Sequence, residues 1–350
     1  MDLFILSCFK HQRLSRYSTL YHLLVGKKTA SVLIYGYFNN ILPFFKLFPD
    51  LNENDFKRII SKLIKEKLLV SSDNNLIKIS PKGLDALHQA YLPTVSSLSG
   101  LTYGKIDQTF WTSLLLAVQV FSEKRYDQSN YLPIETNAFK LYSFKKWYRK
   151  QPANSAILFG KEWLKLSEHM EASELTILVN QLSGHQHIGY TLEQIAYKQQ
   201  TSVLFMYIEF KNSLHKLIEI IQMHPQKFLI FNSLLSNELI YRRSDTASST
   251  YQTFLKNASI AETAKERRLK VSTVTDHLLE SVLQNHDKQF FLNTVYQWDC
   301  LKKLNLFRES QNTSFYSWRY SDVKEAIPEL SFFEFRLFQI KLKEDEINGN

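Results

Sequence analysis

Residues 259–278 constrain the fold more than any other stretch of the chain. Ser259-Ile260-Ala261-Glu262 has the form of a capping box, in which a serine hydroxyl and a glutamate carboxylate each satisfy an orphan amide at a helix start. Ala264 offers a small side chain where two short helices must cross closely, and Arg267-Arg268-Leu269-Lys270-Val271 has the composition of a turn. Ser272 is then placed to cap a second helix, with Val274, His277 and Leu278 facing inward at helical spacing. Helix, four-residue turn and helix, with Ile260, Ala264, Leu269, Val274 and Leu278 as their core, predict a helix-turn-helix.

The rest of the chain points the same way. At 350 residues and 44% hydrophobic content it exceeds the usual single-domain size, so two or three domains are expected. Phe and Tyr number 25 and 18 against 9 Gly, which favours packed helices over glycine-dependent sandwiches, barrels or phosphate loops. Near the N-terminus, Leu20, Leu23 and Leu24 precede a turn at Gly26, and Phe56, Ile59, Ile60, Leu63 and Ile64 follow at helical spacing behind an Asn52 cap. Leu68-Leu69-Val70, the polar turn Ser71 to Asn75 and the alternation of Leu76 to Ser80 read as a hairpin, and Pro81 opens another helix. Helices, a two-stranded wing and a further helix describe a winged-helix-like module. From Thr109 helical periodicity continues, interrupted near Pro133, Pro152 and Gly184, until the polar seam Arg242 to Thr250. The expectation is a mainly α protein: a winged-helix-like domain at 1–92, a helical middle domain at 93–241 and a helix-turn-helix domain at 242–350.

Several functions find no motif. Cys8 and Cys300 lie far apart with no CxxC partner, so neither a zinc ribbon nor a disulfide framework is expected, and the compartment reads as reducing. The apolar start Met1 to Phe9 lacks a basic leader and is too short for an export signal, and no apolar run approaches the roughly 20 residues of a membrane span. A soluble, cytoplasmic protein without membrane contact is expected. Gly26-Lys27-Lys28-Thr29 is superficially like a phosphate-binding loop, but Tyr21 and Lys28 stand where that pattern requires Gly and Ser or Thr. His185 and His187 flank Gln186 without a nearby third ligand, and the scattered histidines accompany no Ser or Cys nucleophile in an elbow context. No active site, metal or cofactor is expected.

What remains is binding. The net charge is +9, from 43 Lys and Arg against 34 Asp and Glu, which permits attraction to a polyanion without requiring it. Residues 139–150 interleave five basic residues with five aromatics, among them Lys145, Lys146, Trp147 and Arg149. That is the chemistry that tracks single-stranded DNA, with cations for phosphates and ring faces for bases. The alternative is an amphipathic helix whose aromatics are core and whose cations are a solvated face. In the helix-turn-helix, Lys265, Arg267, Arg268 and Lys270 suit phosphate contacts, and Thr273, Thr275 and Asp276 are expected to be exposed toward a partner. The second helix carries Asp276 and Glu280 and no base, so backbone contact or protein contact is favoured over operator recognition.

The sequence resembles the helix-turn-helix domain at the C-termini of many RecQ-type helicases and of YpbB-like proteins of low-GC Gram-positive bacteria. The resemblance rests on Thr250-Tyr251, Phe254, Ser259 to Arg267, Leu269, Ser272-Thr273-Val274 and Asp276-His277-Leu278, with Tyr320 to Pro328 and Phe332 to Leu337 like that domain's last segment. Leu20 to Leu24, Gly26 to Thr29, Leu42 to Phe45 and Leu47-Phe48-Pro49 are similar to YpbB-like proteins specifically. One departure is Arg268, which stands where the family usually has Gly in the turn, a position that often demands a left-handed backbone. The resemblance implies a bacterial, non-catalytic accessory protein that associates with a RecQ-type helicase and contacts DNA in recombination or repair. The alternative function is a helix-turn-helix transcription regulator.

Overall fold

The computed structural model describes residues 1–72, 76–240, 246–284, 291 and 300–349, and they are mainly helical. In chain order the first elements are α1 (Asp2–Ser7), β1 (Ser15–Arg16), α2 (Tyr17–Val25), α3 (Ala30–Phe38), α4 (Glu53–Lys65), β2 (Leu69–Ser72), β3 (Leu76–Ile79) and α5 (Pro81–Gln89). The middle holds α6 (Gly100–Tyr103), α7 (Asp107–Arg125), α8 (Ala138–Tyr148), α9 (Ser155–Lys165), α10 (Ala172–Val179), α11 (Leu192–Lys198), α12 (Val203–Met223) and α13 (Leu229–Ile240). Then come α14 (Thr246–Asn257), α15 (Ile260–Arg267), α16 (Val271–Leu283), α17 (Leu301–Ser310), α18 (Tyr320–Ala326) and α19 (Phe332–Ile347).

The chain divides into two units. One comprises Met1–Tyr17 with Pro43–Arg243, the other Ser18–Leu42 with Ser244–Asn350. This differs from the three-domain order read from the sequence. No boundary between units falls at residue 92, and residues 18–42, expected in the first domain, group with the last. The expected seam at Arg242 to Thr250 begins outside the described residues, as does the end of the wing turn at 73–75.

In the first unit, a three-stranded sheet of order β1-β3-β2 sits among helices, with Ser15 opposite Ile77 and Leu69 opposite Ile79. The wing expected from the alternation at 76–80 is β3, and Asn52 caps α4 by accepting from the amides of Asn54 and Asp55. Ser80 caps α5, whose first residue is Pro81, where its missing N–H removes no helical bond. The helix that opens this module is α1, not the Leu20-Leu23-Leu24 helix, because α1 packs on α4 and α5 while α2 goes to the other unit. Phe4, Ile5, Phe56, Ile60 and Leu63 are among its buried residues.

Helices α7, α12 and α13 form the core of the remainder, through residues such as Phe110, Leu114, Leu214, Leu217, Ile218, Phe231 and Leu234. A polar network crosses this core. Asp107 accepts from Lys211 Nζ and lies 3.0 Å from His215 Nε2, while His215 Nδ1 accepts from the Ser99 amide. All three side chains are at most 8% exposed. Burial alone would raise the Asp107 carboxyl, but His215 and Lys211 outweigh it and hold it down at about 2. Burial pushes His215 below its ordinary 6.5, against the opposing pull of Asp107, and likewise takes His11 down to about 4.

A histidine that stays neutral when folded but protonates when unfolded contributes stability above pH 6.5 that is lost as the pH falls. Asp107, depressed when folded, adds a second loss as the pH falls from its ordinary 3.8 toward about 2. The first unit should therefore melt at progressively lower temperature as the pH is taken from 7 to 4. A melting temperature flat across that range would refute the neutral-histidine assignment.

Candidate nucleic-acid and partner-contact surfaces

The helix-turn-helix lies in the second unit as α14, α15 and α16. Ser259 Oγ accepts from the Glu262 amide, so the serine half of the expected capping box is made. Val274 and Leu278 are fully buried, Ala264 is 6% exposed, and Thr250 Oγ1 lies 2.9 Å from His277 Nδ1, so these side chains tie the three helices together. The second helix starts two residues earlier than a Ser272 cap would place it. It begins at Val271 behind Lys270, and Ser272 is inside it rather than its cap.

Arg268 adopts the left-handed conformation, with φ 53° and ψ 42°. Its amide donates to Lys265 O and the Leu269 amide to Ala264 O, the paired bonds of a Schellman ending. A non-glycine residue there costs about 1 kcal/mol, so Arg268→Gly should stabilise the second unit by that amount. The check is thermal or urea unfolding of the variant, and a loss of stability would mean that the Arg268 side chain makes a compensating contact.

The exposed positions expected on α16 are largely covered by the chain itself. Thr275 is buried at 6%, and Glu280 at 3%. Helix α3 packs on α16 within the same unit. Asp276 Oδ1 accepts from the Ala30 amide, the first N–H of α3, where the helix dipole favours a carboxylate. Burial raises the Asp276 carboxyl, and the Ala30 bond opposes that rise. Glu280 pairs with Lys28, and Thr29 Oγ1 caps α3 by accepting from Val32. The Gly26 turn, with φ 87°, brings Lys28 and Thr29 around to this contact. The two acids that argued against a base-reading helix thus hold the α2–α3 hairpin. Helix α19 secures its other end, since Lys343 Nζ donates to Tyr37 O and to Asn40 Oδ1, and Tyr37 OH donates to Glu344. Thr275 and Asp276 are therefore not free partner contacts. Thr273 is half-buried, as is Arg267, while Lys265, Arg268 and Lys270 stay exposed on the first helix and turn.

In the first unit, α8 resolves the two alternatives for residues 139–150 side chain by side chain. Phe144 and Trp147 are core, 5% and 3% exposed, and Trp147 Nε1 donates to Ser233 Oγ at 2.9 Å. Trp147 is thus withdrawn from the candidate contacts. Phe139 and Tyr142 are exposed at 64% and 66%, and Lys145, Lys146 and Arg149 are exposed as well. Positions 139, 142, 146 and 149 follow helical spacing, so two rings and two cations share one outward stripe. The sequence spacing alone does not separate the exposed rings Phe139 and Tyr142 from the buried ones. Only the burial of Phe144 and Trp147 fixes which face is outward.

His185 and His187 fold into a tight turn, with a bridge between Gly184 and His187 and His185 Nδ1 3.0 Å from Glu123. No group of three His, Cys, Asp or Glu side chains suited to a metal ion occurs among the described residues, nor does any helix long and apolar enough to cross a membrane.

Residues 246–339 match the model of a family described as a helix-turn-helix domain. No solved structure is matched by the chain. Over 330 residues, covering 91% of each chain, the sequence is 24% identical to Protein YpbB of Bacillus subtilis (strain 168). The chain carries a C-terminal helix-turn-helix domain, and it is similar along nearly all of its length to that bacterial protein.

Proposed function

We propose that the protein is a non-catalytic accessory factor that associates with a RecQ-type DNA helicase and contacts DNA weakly and without sequence preference, in recombination or repair within the bacterial cytoplasm. The observation that carries this is the occupation of α16 by α3. A helix whose Asp276 and Glu280 are engaged by the chain's own Ala30 amide and Lys28, and which holds no Arg, Lys, Asn or Gln, lacks the side chains that read base edges in a major groove. Exposed cations lie instead on the helix-turn-helix edge at Lys265, Arg268 and Lys270, and on the α8 stripe with Phe139 and Tyr142. Phosphate contact from such cations is sequence-independent, and exposed rings stack on unpaired bases of any kind. The helicase partner is supported by the resemblance of the 250–278 and 320–337 segments to the RecQ C-terminal domain.

The test is unwinding of a forked duplex by the RecQ-type helicase of the same cell, with and without this protein. The expected result is a several-fold faster rate that falls when the α8 cations are reversed. Equal rates across the titration would contradict the accessory role.

A further inference from the structure

A cleft of about 1010 Å³ opens in the first unit between α7 and α9. Helix α9 presents to solvent Ile157, Gly160 and Leu164, at i, i+3 and i+7, with Ile157 and Leu164 62% and 74% exposed. Two large aliphatic side chains so exposed on one helical stripe beside a cleft form the kind of patch that marks a protein contact. Lys124, Arg125 and Lys161 border the cleft, and among the described residues no Asp or Glu lines it. Gly160 sits in mid-helix, where glycine is unfavourable, and a Cβ built on it meets nothing within 4 Å. No packing among the described residues requires glycine there, and its bare backbone leaves the cleft open to a close approach. In the wall, Trp163 Nε1 is buried without an acceptor among the described residues.

The geometry points to this cleft as the docking site for an acidic amphipathic helix of a partner protein. An apolar stripe at i, i+3 and i+7 accepts the matching stripe of a second helix, as in helix-in-groove recognition. The three cations, unopposed by any acid in the lining, select carboxylates on that helix's flanks. Of the rings in the lining, Phe121 and Phe159 are buried and Tyr126 is stacked on His185, so the exposed apolar surface of α9 is the aliphatic pair Ile157 and Leu164, which favours a peptide over nucleic acid, whose bases stack on rings. None of the DNA-contact residues proposed on α8 lines the cleft, and the site does not depend on the proposed function.

The experiment is fluorescence anisotropy of the full chain with two labelled synthetic helical peptides, in the absence of nucleic acid. Both carry one leucine stripe, and the polar face is all glutamate in one and all lysine in the other. The acidic probe should bind at least about tenfold tighter than the basic one, with an affinity that falls as salt rises. Ile157→Glu with Leu164→Glu should weaken the acidic probe by about tenfold or more, the size of a lost hot spot. Both positions are exposed, so this variant should keep its fold. Gly160→Leu gives a second measure, since it should hold or raise the melting temperature while lowering peptide affinity. Equal binding of the two probes, or unchanged affinity in both variants, would overturn the proposal. So would displacement of the acidic probe by a single-stranded oligonucleotide whose own binding falls in the same variants, because the cleft would then be a nucleic-acid site.

Discussion

Asp107→Ala should destabilise the first unit by about 3–5 kcal/mol, the cost of leaving a buried charge without its partner. Asp107 is 2% exposed and serves both Lys211 and His215, themselves 6% and 1% exposed. Truncation strands the Lys211 ammonium in the core of α7 and α12. It also releases the ring of His215, whose Nδ1 accepts from the Ser99 amide. Asn212, one turn from His215, accepts from the Ser97 amide, so the segment leading into α6 is fastened to α12 at two points. Replacing Asp107 and Lys211 together by Leu and Met should recover most of the loss, because a buried ion pair exchanged for apolar side chains of similar volume is often neutral. Urea unfolding of the single and double variants checks this. A single variant as stable as the parent would mean that Lys211 finds another acceptor.

Reversing three cations, Lys145→Glu, Lys146→Glu and Arg149→Glu, should weaken binding to a single-stranded oligonucleotide by about tenfold or more and reduce the salt slope by about 2, since each phosphate contact on a single strand contributes roughly 0.7. All three side chains are exposed, so the variant should keep its helical content. Tyr142→Ala should lower affinity without changing the slope, because stacking releases no counterions. Titrations at several salt concentrations separate the two effects. An unchanged affinity in the triple variant would remove α8 from the DNA surface.

Local patterns made much of this legible. The helix-turn-helix was readable because its core spacing, its serine cap and the Arg268 turn all lie within twenty consecutive residues, and local rules decide such a unit. The β2–β3 hairpin, the caps at Asn52 and Ser259 and the helix start at Pro81 followed from the same kind of signal, whereas the Ser80 cap is seen only in the structure. Long-range pairings were not readable. Lys28 meets Glu280 across 252 residues and Ala30 meets Asp276 across 246, so the covering of α16 had no local trace. Its one hint was the acidity of the second helix, which carries Asp276 and Glu280 and no Lys or Arg. Trp147 was misplaced for a related reason. In an aromatic-rich helix with weak periodicity, only tertiary packing against Ser233 selects the inward rings.

The most direct test of the central claim is co-purification of the tagged full-length protein with the RecQ-type helicase of its own cell, from lysate treated with nuclease. The account predicts that the helicase remains bound after the nucleic acid is gone, in a complex that purified components re-form. Loss of the helicase on nuclease treatment, together with protection of one defined operator by the protein alone, would contradict it and make the protein a transcription regulator.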